Sequence, residues 1–345
     1  LTAIVGENGQ GKTNLLEAIG WLAGLGSFRG APDDALIRTG ADTAVLRATI
    51  EADDGREQLI EAELHRVGRN RVQVNRQRVN RMRDLLGVVQ VTVFSPDDLE
   101  LVKAGPSLRR RWIDDALLQR HPRHDALRAD LERILKQRNA LLRSTPGRLD
   151  ADAAFTLDVW DQKLSDIGSR LREAREELLD ELRPALTEAY AAVANRAVAT
   201  DASYEASWDG SLEAALAAVR DHDVRRGVST IGPHRDEIVL TIDGRPARTH
   251  ASQGEQRSLA LALRLAADRV VRTGAGTSPV LLLDDVFSEL DPGRAAALLD
   301  ALPDAQRLLT TAAGLPVSAT PERVLTIADG TVSVVGGGAV SGEGT

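Results

Sequence analysis

The chain has 345 residues, 43% of them hydrophobic and 27% charged, which is enough for one large or two ordinary domains and excludes disorder as its main state. It holds no cysteine, which excludes a disulfide framework, a thiolate metal site and a cysteine nucleophile together and suits a reducing interior. A formal charge of −8 gives no bulk attraction for nucleic acid, so such binding needs a local basic face, and the longest apolar runs are strand length rather than membrane length.

In chain order, β-like runs at Leu1 to Val5, Ala44 to Ala52, Gln58 to Val67, Arg71 to Val74 and Gly87 to Phe94 predict an α+β or α/β segment. The first of these reads as a strand already inside a domain, so residues ahead of it are expected. From Pro106 the pattern turns helical, and Pro122, Pro146-Gly147 and Thr200-Asp201 divide it into helices near 107–120, 123–144 and 152–198. In the longest, Trp160, Leu164, Ile167, Leu171, Leu178, Leu182, Leu186, Ala189 and Val193 recur at three- and four-residue steps. Leu127, Leu131, Ile134, Leu141 and Leu142 offer a matching stripe, which predicts an antiparallel, coiled-coil-like pair whose first use is a helical core. After Tyr204 to Trp208, β-like segments return at Glu237 to Ile242 and Val280 to Leu283. The expected organisation is an α/β head at 1–105 and 226–335, a helical arm inserted at 106–225, and a tail at 336–345.

Gly6-Glu7-Asn8-Gly9-Gln10-Gly11-Lys12-Thr13 matches G-x-x-x-x-G-K-[ST], with an apolar strand before it and a helix beginning near Asn14. Glycines let backbone N–H groups converge on phosphate oxygens, Lys12 reaches the outer phosphates, and Thr13 is placed to ligate Mg2+. Val280-Leu281-Leu282-Leu283-Asp284-Asp285 supplies the acidic strand such a loop needs. Asp284 is expected at the metal and Asp285 as the catalytic carboxylate that orients the attacking water, with Lys12 assisting. Between loop and acidic strand, Ser252-Gln253-Gly254-Glu255-Gln256 opens an amphipathic helix, a pattern that serves equally as a helix cap or an anion site.

In this order, loop, signature, acidic strand and a Ser288-Glu289-Leu290-Asp291 turn resemble the ABC-type ATPase heads of chromosome-maintenance proteins. More narrowly, Phe94-Ser95-Pro96-Asp97-Asp98-Leu99, Gly105-Pro106 with Arg109-Arg110-Arg111, Ile231-Gly232-Pro233-His234-Arg235-Asp236 and Leu283-Asp284-Asp285-Val286-Phe287-Ser288-Glu289-Leu290-Asp291 resemble the RecF family over nearly the whole chain. The resemblance implies ATP and Mg2+, with the signature used in trans. Ser252 to Gln256 of one subunit would cap ATP on the loop of another, giving a homodimer that closes on double-stranded or gapped DNA and opens on slow, DNA-stimulated hydrolysis. It further implies recombination mediator partners, recombinase loading, roles in DNA replication, repair, recombination and the SOS response, and a cytoplasmic, nucleoid-associated place with no membrane.

The strand after the acidic one, Arg307 to Ala312, lacks the histidine many such heads carry, which leaves Thr310 or Thr311 as candidates to touch the terminal phosphate. Gln90 falls inside a predicted strand and is not assigned to the metal. For DNA, 64 to 83 holds no acidic residue and carries Arg66, Arg69, Arg71, Arg76, Arg78, Arg81 and Arg83, either a phosphate-contacting strip or a solvated hairpin. His234 is expected to be structural or interfacial with Arg235, and Arg109 to Arg111 are expected to bury some charge against Asp114 or Asp115. Two other readings share parts of this pattern. An ABC transporter nucleotide-binding subunit lacks such a helical insertion and carries L-S-G-G-Q, and a structural DNA clamp that binds ATP without turnover has no need of both Asp284 and Asp285.

Overall fold

Two compact units make up the chain, the first from Leu1–Asp98, Ala189–Ala197 and Leu261–Thr345, the second from Leu99–Glu188 and Val198–Ala260. The computed structural model describes all residues except 53–54, 80–84, 86–87, 122–123, 146, 148, 276–277, 313 and 336–345, so Arg81, Arg83, Pro122, Pro146 and the expected tail lie outside the described residues. In chain order the first stretch carries β1 (Thr2–Val5), α1 (Lys12–Gly20), β2 (Thr43–Glu51), β3 (Glu57–His65), β4 (Arg71–Val74), β5 (Gln77–Val79) and β6 (Val91–Phe94). Next come α2 (Glu100–Lys103), α3 (Pro106–Arg120), α4 (Asp125–Ser144), α5 (Ala151–Ala194), β7 (Thr200–Glu205), α6 (Leu212–Arg226), β8 (Glu237–Ile242), β9 (Arg245–Pro246), α7 (Ala247–His250) and α8 (Gln253–Ala275). The chain closes with β10 (Val280–Asp284), α9 (Pro292–Ala301), β11 (Arg307–Thr311), β12 (Arg323–Ala328) and β13 (Thr331–Val335).

In the first unit a sheet runs β13-β12-β1-β11-β10-β6, parallel throughout except for β13. A strand inside a parallel sheet is covered on both faces, which is why β10 is an unbroken run of leucines. Leu281 and Leu283 point to a cluster with Leu261, Leu265 and Leu298, whereas Leu282 points the other way, to Ile4 and Leu16. All three are fully buried, each contributing about 2 kcal/mol of apolar burial. The strand that ends in Asp284 is therefore clamped between helix layers. The antiparallel meander β2-β3-β4-β5 alternates instead: Ile60, Ala62, Leu64 and Val72 pack under Trp21 and Leu22, while Arg47, Glu61, Glu63 and Arg71 stand on the other face.

α5 runs for 44 residues, about 66 Å at 1.5 Å per residue, with Pro184 inside it, and all but its last six residues belong to the second unit. Leu164, Leu171, Leu178, Leu182 and Leu186 of the expected stripe are buried along it. Leu142 packs with Leu157, and Arg138 pairs with Asp161. The α4 position falls by four as the α5 position rises by four, so the two helices are antiparallel, as their stripes predict. Gly168 is the one place on α5 where a side chain cannot stand: a Cβ there would lie 2.5 Å from Leu212 and 3.2 Å from Pro233.

One sequence expectation shifts. The six residues of β7, Thr200–Glu205, pair antiparallel with β8, from Thr200 opposite Ile242 to Glu205 opposite Glu237. That same pairing draws 226–260, placed with the head on sequence order, into the second unit. Among the described residues no helix is long and apolar enough to cross a membrane.

Candidate nucleotide site

The phosphate loop joins β1 to α1 at the carboxyl end of the parallel sheet, where side chains from several strands converge. Gly11 caps α1 in a left-handed conformation, φ 97°, with no side chain on the helix's first N–H groups, so they remain available to an anion. Gly6 is required by proximity: a Cβ there would meet the Ile327 carbonyl oxygen of β12 at 2.5 Å. Gln10 ties the far side of the loop down by accepting the Asp329 N–H at 2.6 Å. Lys12 is buried inside this curl, donating to the carbonyls of Gly6 at 2.7 Å and Glu7 at 2.8 Å. An ammonium has three protons, so one remains for a phosphate oxygen.

Thr13 and Asp284, far apart in sequence, meet directly, the Thr13 hydroxyl donating to Asp284 Oδ1 at 2.8 Å. Thr310 donates to the same oxygen at 2.7 Å. Both bonds fall on Oδ1, which leaves Oδ2 and the lone pairs of Thr13 to a cation. Thr13 and Asp284 together offer two oxygen ligands, the one or two that Mg2+ takes from a protein when phosphates and water complete its shell.

Asp285 sits beside this pair at φ 48°, a left-handed conformation unusual outside glycine, and its Oδ1 is buried without a hydrogen-bond donor. Burial pushes its carboxyl above the usual carboxylate range. The Ser288 hydroxyl opposes this, the Asp284 charge reinforces it, and the Lys12 ammonium opposes it again. An unpaired, partly desolvated carboxylate oxygen beside a phosphate loop is equipped to take a proton from water. The Ser288 hydroxyl also closes the following turn on the Asp285 carbonyl at 2.8 Å, Leu290 packs on the sheet core, Glu289 is exposed, and Asp291 caps α9 by accepting from Arg294 N–H. Thr311 is spent on the Gly314 carbonyl. Gln90 precedes β6, where its carbonyl accepts from Val280 N–H.

The signature opens α8 in the second unit as a capping box: Glu255 accepts from Ser252 N–H at 2.9 Å and from its hydroxyl at 2.8 Å, and Glu255 N–H reaches Ser252 Oγ at 3.3 Å. Gln256 turns inward and donates to the carbonyls of Ala247 and Arg248. The five signature residues thus divide. Ser252 and Gln253 are exposed at the helix start with Gly254 half-buried beside them, whereas the side chains of Glu255 and Gln256 hold the turn that presents them.

The arginine strip also divides. Arg66 is spent on the carbonyls of Ala41, Ile37 and Arg38, and Arg71 pairs with Glu63 at 3.7 Å. Arg47 neutralises Glu61 on the same face of the meander. Arg69, Arg76 and Arg78 are exposed with no ion pair among the described residues, and Arg81 lies outside them.

The Ile231 to Asp236 segment is held by buried charge within the second unit, which the sequence reading left open. Arg109 pairs with Glu237 through two bonds of 2.8 and 2.9 Å rather than with Asp114 or Asp115, and Arg110 donates to the Asp236 carbonyl. Arg175 takes Asp114 and the Pro233 carbonyl, and Arg138 takes Asp161, Asp223 and Ser229. His234 rests its Nε2 on the Ser229 carbonyl while Nδ1 is buried unpaired. Burial pulls the His234 pKa down to about 4, and the nearby Arg235, Arg110 and Arg138 charges add to the fall against the Ser229 bond. The unfolded chain then takes up this proton first on acidification, so stability is fully present above pH ~6.5 and is lost between ~6.5 and ~4. His234→Gln is expected to remove roughly 2 kcal/mol of the stability lost between pH 7 and pH 5, read from urea midpoints at both values. An unchanged difference between the two midpoints in this variant would show that His234 titrates normally.

The model of the RecF/RecN/SMC N terminal domain matches residues 1–331. Proteins described as DNA replication and repair protein RecF are 44% identical over 331 residues in Frankia alni and 43% identical over 328 residues in Streptomyces avermitilis. Each alignment covers 91% of this chain and 87% of the relative. The chain belongs to the RecF family. Solved structures of the recombination mediator protein RecF in the RecFOR pathway, as RecF-ATPrS and RecF-ATP, superpose with TM-scores of 0.88 at 27% and 28% identity. Both cover 97% of this chain, with 92% and 91% of the solved chains covered in turn. An Smc head domain bound to the C-winged helix domain of ScpA, at 18% identity and a TM-score of 0.55, shares the fold. RecF membership carries an ABC-type ATPase head with it, and the family matched is one of DNA replication and repair rather than of transport.

Proposed function

We propose that this RecF-family chain is an ATP-operated DNA-binding protein of recombinational repair. ATP on the loop of one subunit is capped by Ser252, Gln253 and Gly254 of a second. The homodimer closes on double-stranded or gapped DNA, and slow, DNA-stimulated hydrolysis opens it. The observation that carries this reading is the convergence of Lys12, Thr13, Asp284 and the unpaired Oδ1 of Asp285 at one end of the sheet, in a chain whose solved relatives are RecF-ATP and RecF-ATPrS.

Each residue has a task that its geometry permits. The loop N–H groups and Lys12 hold the outer phosphates, and Thr13 with Asp284 holds Mg2+. Bound there, the cation would offset charge building on the phosphates during transfer. Asp285 accepts the proton of the attacking water through Oδ1. The start of α8 supplies its helix-end dipole to the phosphate from the other subunit, so loss of the terminal phosphate removes the contact holding the dimer. By carry-over from relatives of the RecFOR pathway, the partners are DNA and other recombination mediators, and the place is cytoplasmic and nucleoid-associated.

Of the arginine strip, Arg69, Arg76 and Arg78 are the proposed phosphate contacts, since Arg66 and Arg71 are already engaged. The test measures duplex affinity against salt, with ATP and with ADP. ATP is expected to tighten binding on unrelated sequences alike, and Arg76→Ala with Arg78→Ala to lower the slope of log affinity against log salt by about two while sparing DNA-free turnover. DNA affinity indifferent to nucleotide would overturn the reading, and an unchanged slope would move the contact face off the meander.

A further inference from the structure

We propose that Thr310 is the positioning residue of the acidic pair, its one hydroxyl setting the Asp284 carboxylate against Thr13 and holding the backbone from which Asp285 acts. In the sheet β11 lies between β1 and β10, with Thr310 abreast of both Ile4 and Asp284. Its side chain is fully buried. A hydroxyl has one proton to give and two lone pairs to offer. The proton goes to Asp284 Oδ1 at 2.7 Å, the Leu283 carbonyl at 3.5 Å being too distant to compete. A lone pair takes the Asp285 N–H at 3.0 Å, and the Thr310 carbonyl receives that same N–H at 3.2 Å. One residue thereby grips two successive carboxylates, one by its side chain and the other by its backbone.

This grip has consequences for the two acids. Asp284 Oδ1 takes O–H donors from both Thr13 and Thr310, which fixes the carboxylate and leaves Oδ2 for a cation. The Asp285 Oδ1 atom has no donor of its own, while Ser288 and the Ala312 N–H act on the rest of the carboxyl, and the left-handed φ of 48° that aims the side chain persists only where the surroundings hold it. Thr310 supplies that hold. With its proton committed to Asp284, Thr310 is not a free donor for a terminal phosphate, and its influence on hydrolysis runs through the acids.

The inference rests on the nucleotide reading above, and the experiment separates the two. Thr310→Val keeps the shape and removes both hydroxyl bonds, whereas Thr310→Ser keeps the hydroxyl. Turnover at saturating ATP and Mg2+, ATP affinity, and the Mg2+ half-saturation of ATP binding without turnover are measured for both. In Thr310→Val, turnover is expected to fall about 10- to 100-fold and the Mg2+ half-saturation to rise about tenfold, with ATP affinity at saturating Mg2+ kept within about threefold. Thr310→Ser is expected to stay close to wild type in all three, a rescue that packing alone does not predict. If Thr310→Val does not fold, Thr310→Ala carries the same expectations. Wild-type turnover and Mg2+ dependence in the hydroxyl-free variants, or equal loss in Thr310→Ser, overturns the proposal. Lys12→Ala is measured alongside: undiminished ATP binding there overturns the nucleotide site itself, whatever the Thr310 variants do.

Discussion

Asp285→Asn is expected to bind ATP with near-wild-type affinity and to lose about 10²- to 10⁴-fold in turnover, the range a positioned general base contributes. The substitution is narrow in its effects. Asparagine tolerates the left-handed backbone that Asp285 adopts at φ 48° and keeps the N–H that Thr310 receives, so the turn after β10 is preserved while the proton acceptor is removed. ATP that binds without being cleaved should hold the subunits together, and sedimentation should show a persistent dimer where wild type returns to monomer. The pH dependence adds a second readout. Because burial raises the Asp285 pKa, the wild-type acid limb should lie at higher pH than for an ordinary carboxylate, with turnover rising as Asp285 loses its proton, and in the Asn variant that limb should vanish. Wild-type turnover in Asp285→Asn would assign the proton transfer to another group.

What was legible in the sequence is local. The phosphate loop announces itself because glycine, lysine and threonine must stand at fixed spacing, and β10 because a strand covered on both faces has to be apolar at every position. The α4 and α5 stripes are legible for the same reason: 3.6-residue periodicity is written in consecutive residues. Features made by long-range pairing were not legible. Thr310 lies 26 residues from Asp284, and its commitment to that carboxylate follows from the order of β11 beside β10, which no spacing encodes. The placement of 226–260 in the second unit likewise follows from β7 pairing with β8 across the intervening α6. Arg66 counted as a free cation by composition, yet it is bound to three carbonyls, because a count of arginines is blind to where backbone oxygens lie. A cue was available for the signature. Ser252 followed three residues later by Glu255 is the sequence mark of a capping box, and it already separates Glu255 from the residues that face outward.

That separation shapes the remaining prediction, in which Ser252→Arg binds ATP but does not dimerise. Ser252 is exposed at the start of α8, and its hydroxyl caps Glu255 N–H, so the substitution costs about 1 kcal/mol of helix capping. A 23-residue helix anchored by buried Leu259, Ala262 and Leu263 survives that loss, while a long side chain on the outward face blocks approach of the other subunit. Lys12→Ala fails for the complementary reason: its signature is intact, but the loop has lost its only ammonium. Alone, each variant should be inactive. Mixed in equal amounts, they should regain roughly a quarter of wild-type sites at most, since about half of random pairs are mixed and each mixed pair holds one intact loop facing one intact signature. An ATPase working within a single chain gains nothing from mixing two dead variants. Recovery of ATP-dependent dimer and turnover in the mixture, and in neither variant alone, is therefore the outcome expected of a site shared between subunits. Full turnover by Ser252→Arg shown to be monomeric would place the whole of catalysis in one chain.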